Sequence, residues 1–225
     1  MAKFSVDNLK AKNVAIMRDV KSDYSMGLAQ YFKETLTKMG GTVVSDQTYS
    51  NGDIDFKAQL TTIKGTKPEA IFIPGYYTDV GLIARQARGL GIKVPLLGGD
   101  GWDSSKLFEI GGEAIVGNYF SNHYTTDTKD QTARTFIEKY KKDFKGETPD
   151  GLAALGYDSA YVLVEAMKRA KSFSPTDIRD EIAKTKDYPG VTGHITLNEQ
   201  RDAVKPAVVV QVKGKDNTYV TTINP

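Results

Sequence analysis

The first 121 residues alternate between two periodicities, and this restricts the chain more than any other feature. Short apolar runs at Asn13-Val14-Ala15-Ile16-Met17, Thr42-Val43-Val44-Ser45, Ala70-Ile71-Phe72-Ile73, Val94-Pro95-Leu96-Leu97 and Ile115-Val116-Gly117-Asn118-Tyr119-Phe120 read as strands. Between them, apolar residues recur at helical spacing: Leu28, Phe32, Leu36 and Met39 before Gly40-Gly41, then Phe56, Leu60 and Ile63 before Gly65. Asp53 and Thr78 stand where they could cap the next two helices, the second of which closes at Gly91, and a short helix follows over 104–110. Strands separated by helices of this length form βαβ units, and right-handed crossovers then place helices on both faces of a parallel sheet. The expected fold class is α/β, a doubly wound parallel sheet.

The second half reads differently. Two long helices are expected over 129–144 and 152–171, and a third begins with Ser174 as N-cap and Pro175 at its first position. Strands return only at 194–197, 207–212 and 218–223, the last two flanking Gly214-Lys215-Asp216-Asn217 as a hairpin. Three helices without strands need a sheet to pack on, and none is evident in this stretch.

Several function classes are disfavoured. The chain carries 30 Lys and Arg against 28 Asp and Glu, net +2, which calls for no polyanionic partner. The densest basic run, Lys168-Arg169-Ala170-Lys171, ends a helix, where cations complement the dipole, so it reads as a solvated terminus rather than a nucleic-acid contact. With no cysteine, thiolate chemistry and disulfides are absent. No apolar run approaches the ~18 residues of a membrane span. Met1-Ala2-Lys3-Phe4 leads into a mixed polar segment, so no leader peptide is expected within this chain. Phosphate-binding and nucleophile-elbow motifs are missing. His123 and His194 match no metal-ligand spacing and read as structural. Asp19 and Asp100 each follow a strand and suggest a carboxylate pair, but no His or Cys lies nearby in sequence to share acid–base work. The expectation is a protein that is not an enzyme, with no cofactor and no metal.

What the strand ends do carry suits a small solute. In open α/β sheets ligands sit beyond the carboxyl ends of the strands. After the first strand come Asp19 to Gly27 with Tyr24; after the third, Pro74-Gly75-Tyr76-Tyr77; after the fourth, Gly98-Gly99-Asp100-Gly101-Trp102-Asp103. A carboxylate such as Asp100 accepts charge-assisted bonds from an ammonium, and Tyr or Trp rings give apolar walls or contact a cation through their faces. Each ring taken alone also suits core or helix-cap packing, and periodicity leaves the two readings open.

The runs Lys10-Ala11-Lys12-Asn13-Val14-Ala15-Ile16, Asp23-Tyr24-Ser25-Met26-Gly27-Leu28-Ala29, Gly75-Tyr76-Tyr77, Ala84-Arg85-Gln86-Ala87-Arg88-Gly89-Leu90-Gly91 and Leu97-Gly98-Gly99-Asp100-Gly101-Trp102-Asp103 resemble the middle of type I periplasmic binding proteins for leucine, isoleucine and valine. Tyr157-Asp158-Ser159-Ala160-Tyr161 and Gly190-Val191-Thr192-Gly193-His194-Ile195 continue the likeness over essentially the whole chain. The resemblance implies two α/β lobes joined by three crossovers, an amino acid bound between them, and lobe closure signalling a membrane ABC permease from an extracytoplasmic, periplasmic location. It implies that Tyr24 and Tyr76 line the cleft, that Asp100 stands where the family often has an ammonium-binding Glu, and that Tyr157 approaches from the hinge side; Trp102 is a weaker candidate. It further implies an N-terminally truncated fragment. Residues 1–121 and 203–225 would form the C-terminal ligand-binding lobe, and 124–200 the mostly helical remnant of an incomplete N-terminal lobe. The Ser, Thr and backbone N–H groups that grip the ligand carboxylate would lie outside this chain. Such a remnant exposes apolar helix faces, so a homodimer or segment exchange is expected. The rival reading is a ligand-sensing domain of a regulator or receptor on the same bilobed fold.

Overall fold

The computed structural model describes residues 1–224. The chain divides into two units, the first made of Met1–Asn122 with Val209–Thr221, the second of His123–Val208 with the chain from Thr222 onward.

In the first unit, a short helix α1 (Ala2–Asp7) precedes β1 (Asn13–Asp19), α2 (Asp23–Lys38), β2 (Thr42–Tyr49), α3 (Lys57–Gly65), β3 (Ala70–Phe72), α4 (Tyr77–Gly89), β4 (Leu96–Gly98), α5 (Ser105–Gly111) and β5 (Tyr119–Asn122). Local chemistry sets the boundaries. The Ser22 hydroxyl accepts the Ser25 N–H to start α2, whose Ala29, Phe32 and Leu36 are buried, and Gly40 at φ +76° ends the turn that follows. Two expected caps are corrected. Asp53 accepts the Ser50 N–H and so closes a loop, while Phe56 occupies the N-cap of α3; α4 starts at Tyr77 with Tyr76, not Thr78, at its N-cap. The fifth strand also begins later than its apolar run. Ile115 is fully buried but lies in a turn closed by Gly117 at φ +80°, so apolarity there marks core, not strand.

The unit's seven-stranded sheet has the order β10-β9-β5-β4-β3-β1-β2, where β9 is Ala207–Lys213 and β10 is Asp216–Ile223. β1 pairs in parallel with both β2 and β3, and β3–β4 and β4–β5 are parallel too. The chain therefore steps outward from β1 to β2, then returns past β1 to β3 and onward. At the β1/β3 boundary the connections leave toward opposite faces, with α1 packed on α2 and α3, α4 and α5 packed in series. Asn118, 1% exposed, ties β4 and α4 to the turn before β5: its Oδ1 accepts from Leu96 N and Arg88 Nη2, both at 2.8 Å, and its amide donates to the Ala114 and Ile115 carbonyls.

The second unit contains α6 (Gln131–Asp143), α7 (Gly151–Arg169), α8 (Pro175–Ala183) and a separate antiparallel sheet β6-β7-β8 (Tyr188–Gly190, Gly193–Leu197, Ala203–Val204). That small sheet is not evident in the sequence because β6 and β8 are only three and two residues long. Asp130, Asp150 and Ser174 cap the three helices by accepting N–H bonds, and Pro175 takes the first position of α8. Tyr124, Ala133, Phe136, Ile137, Ala154 and Val191 form the core, with Tyr157 packed against it. Leu152, Tyr161, Leu163 and Val164 of α7 remain exposed.

Asp158 holds this unit's loop in place. Its Oδ1 accepts from Val191 N at 2.7 Å, and its Oδ2 accepts from Thr192 N at 2.9 Å and Thr192 Oγ1 at 2.7 Å. Gly190 lies against the carboxylate, where a Cβ would approach Oδ2 to 2.7 Å.

Lys205 is placed less favourably. Its ammonium nitrogen is buried with no hydrogen-bond partner, and burial lowers its pKa from 10.5 to about 8, against the opposing charge of Asp158. Below pH 8 the cation is carried in both folded and unfolded chains, and its full burial cost falls on the folded one. Between about 8 and 10.5 the unfolded chain binds more protons, so stability rises with pH through that window. Lys205→Met is expected to raise the melting temperature at pH 7 and to lose most of that gain near pH 10. Calorimetric scans of both proteins at the two pH values check this.

Candidate functional site

The boundary between β1 and β3 is where an open sheet of this order leaves a crevice, and the first unit delivers three side chains to its carboxyl edge. Tyr24 comes from the first turn of α2, Tyr76 from the N-cap of α4 on the opposite face, and Asp100 from a 3-10 turn (Asp100–Trp102) after β4. The rings of Tyr24 and Tyr76 stack with centroids 5.2 Å apart and planes inclined by 27°. The Tyr24 hydroxyl donates to Asp100 Oδ1 at 2.7 Å and accepts the Gly101 N–H at 2.9 Å. Two phenols and a carboxylate thus meet at one sheet edge, Tyr24 and Asp100 half-buried and Tyr76 exposed.

The electrostatics are one-sided. Burial first, then the charge of Asp100 and the hydrogen bond to it, push the Tyr24 phenol far above its usual range. The hydroxyl therefore stays protonated and remains a donor to the carboxylate. The glycines around Asp100 follow from the same contact: a Cβ on Gly99 would approach the Tyr24 hydroxyl to 2.7 Å, and one on Gly101 to 3.2 Å. Only a loop without side chains at both positions closes around the phenol. The Gly101 N–H and the two glycines are parts of the site that residue-type reasoning missed. Their signal is present in the sequence as glycines on either side of Asp100.

Trp102 is not brought to the crevice. It is fully buried, its indole N–H donates to the Ile73 carbonyl at 3.0 Å, and it lies so close against Gly98 that no Cβ fits there. It braces the loop from beneath and has no surface to offer a ligand. Tyr157 belongs to the second unit, where it packs on Phe136 and Tyr161 at centroid distances of 4.8 and 4.5 Å. Its hydrogen bond to Tyr161 raises its pKa to about 12, ahead of burial. His123 and His194 are not among the crevice residues, and His194 pairs through Nδ1 with Asp187 at 2.8 Å. Among the described residues no group of three or more His, Cys, Asp or Glu is arranged to hold a metal ion, and no helix is long and apolar enough to cross a membrane.

Comparison with known proteins follows the same lines. A family model described as periplasmic binding protein matches residues 1–217. Leu/Ile/Val-binding protein homolog 3 of Brucella melitensis is 31% identical over 211 residues, covering 92% of this chain and 55% of its own length. Leu/Ile/Val-binding protein BraC3 of Rhizobium johnstonii is 31% identical over 202 residues, covering 89% and 54%. Among solved structures, the leucine binding protein LivK of Thermotoga maritima superposes on the whole chain with a TM-score of 0.94 at 42% identity, using 64% of its own chain. The branched-chain amino acid transporter substrate binding protein LivJ of Streptococcus pneumoniae, in complex with isoleucine, gives 0.88 at 34% identity and 63%. The chain spans a little over half the length of the curated relatives it matches.

Proposed function

Because this chain belongs to the periplasmic binding protein family, we propose that it is the solute-recognising part of an extracytoplasmic carrier that delivers a branched-chain amino acid, or a close analogue, to a membrane ABC permease. The observation that carries this reading is the convergence of Tyr24, Tyr76 and Asp100 at the β1/β3 crevice. Asp100 takes the ligand ammonium, its orientation fixed by the Tyr24 hydroxyl. The exposed Tyr76 ring offers an apolar wall and a cation-accepting face. Trp102 supports the loop from the core, and Tyr157 packs within the second unit. No step of bond making or breaking is required: the protein binds and releases.

Recognition by one carboxylate and two rings leaves the ligand's own carboxylate to groups supplied elsewhere. Binding by this chain alone is therefore weak, about millimolar, about −4 kcal/mol. Closure between lobes gains free energy only when contacts from both sides favour the closed state. The exposed α7 residues Leu152, Leu163 and Val164 favour pairing with a second copy at high concentration.

The test compares leucine, isoleucine and valine with the same carbon skeletons lacking the amino group, by calorimetry on the chain. The amino acids are expected to bind and the deaminated acids not. Equal binding of both sets would remove Asp100 from the reading.

A further inference from the structure

The loop between β2 and α3 holds a chemistry that the crevice does not use. Asn51-Gly52 is the one Asn-Gly step in the chain, and both residues are exposed. Two buried carboxylates hold the step to the sheet edge: Asp19 at the end of β1 and Asp79 in the first turn of α4, 3% and 4% exposed. Asp19 Oδ1 accepts from Asn51 N at 3.1 Å. Asp79 spans the step itself. Its Oδ2 accepts from the Asn51 side-chain amide at 3.0 Å, and its Oδ1 accepts from Gly52 N at 3.5 Å.

Those two nitrogens are the reacting atoms of asparagine deamidation. The backbone nitrogen after an asparagine attacks the side-chain carbonyl carbon, and the amide nitrogen leaves as ammonia. Glycine in the following position opens the approach, because no Cβ stands in the way. Gly52 also has φ +91°, a conformation that glycine adopts freely and other residues adopt at a cost. The step needs a base at the nucleophile and an acid at the leaving group. A single carboxylate in contact with both nitrogens serves as each in turn. Burial raises the Asp79 pKa, against the pull of its bonds from Asn51 and Gly52, and this favours its taking up a proton.

We propose that Asn51 is a modification site, deamidated with Asp79 as the proton shuttle, and that its conversion frees the loop between β2 and α3. Gly52 N bonds to Asn51 Cγ as its proton passes to Asp79. Asp79 hands the proton on to the Asn51 amide nitrogen, the Cγ–Nδ2 bond breaks, and ammonia leaves behind a succinimide ring. Water then opens either ring carbonyl, giving aspartate or isoaspartate at position 51. The product sets a carboxylate against Asp79 where an N–H donor stood, and like charges at that distance repel. The inference is independent of the amino acid crevice.

Peptide mapping of the chain aged at neutral pH tests the chemistry. Asn51 is expected to convert faster than any other asparagine in the chain. Asp79→Asn keeps the shape but cannot carry the proton, and it is expected to slow that conversion by about 100-fold. The parent unfolded in urea is expected to convert more slowly at Asn51 than the folded chain, and this comparison holds even if Asp79→Asn folds poorly. Asn51→Asp, made directly, is expected to lower the melting temperature by about 5 °C. Conversion unchanged by Asp79→Asn, or as fast in urea as in the folded chain, overturns the shuttle. An Asn51→Asp chain that melts with the parent overturns the release of the loop.

Discussion

Replacing Asp158 by alanine is expected to destabilise the second unit by about 4 kcal/mol. The carboxylate accepts three hydrogen bonds of 2.7–2.9 Å in a position 3% exposed. Bonds to an ionised acceptor are worth about 1.5–3 kcal/mol each, and they do not add fully. The alanine variant also leaves the Val191 and Thr192 N–H groups buried without an acceptor. Against a total stability of about 5–15 kcal/mol, the loss is a large fraction. Asp158→Asn keeps the shape but gives up the charge and one acceptor, and about half the loss is expected. Urea unfolding followed by far-ultraviolet circular dichroism reads both variants. If Asp158→Ala unfolds within about 1 kcal/mol of the parent, the clamp is not what holds Gly190 to Thr192 against α7.

The second large effect concerns Asp100. Removing one member of a desolvated charge pair costs about 2–5 kcal/mol, so Asp100→Ala is expected to weaken amino acid binding by about 100-fold, beyond detection in this chain. Tyr24→Phe separates orientation from charge. It keeps the ring stacked on Tyr76 but removes the donor to Asp100 Oδ1 and the acceptor for Gly101 N–H. A loss of about tenfold is expected, the value of a single hydrogen bond. Calorimetry on each variant checks the order: parent tightest, then Tyr24→Phe, then Asp100→Ala. An Asp100→Ala chain that binds leucine as the parent does contradicts the assigned role.

Much of this architecture is legible in the sequence because it depends on local pattern. The apolar runs at Val14 to Met17 and Ala70 to Phe72 are strands buried on both faces, and such runs are continuous rather than alternating. The stop at Gly40 and the Ser174-Pro175 start are written in single residues whose backbone demands are specific. What failed depended on geometry further away. Asp53 is close enough in sequence to cap α3, yet its carboxylate turns back to Ser50. Ile115 and Val116 are apolar enough for a strand, but Gly117 turns the chain before β5 begins.

The crevice shows the same division. That Tyr24, Tyr76 and Asp100 follow strands is plain from the sequence, and strand order then decides that they meet. Which way a ring points is not local: Trp102 follows the same strand as Asp100 but turns inward to Ile73, because the flanking Gly98 leaves room for an indole. Asp19 reads in sequence as one half of a pair with Asp100. In the structure it faces Asn51 and shares that loop with Asp79, a residue 60 positions away.

The account rests on a single location for the ligand. Titration of the isotope-labelled chain with leucine, followed by amide nuclear magnetic resonance shifts, tests it most directly. Gly99, Gly101, Tyr24 and Tyr76 are expected to move together and to saturate in the millimolar range, with the resonances of α8 unmoved. Leucine-dependent shifts confined to the second unit, with Gly101 and Tyr24 unchanged, would contradict it.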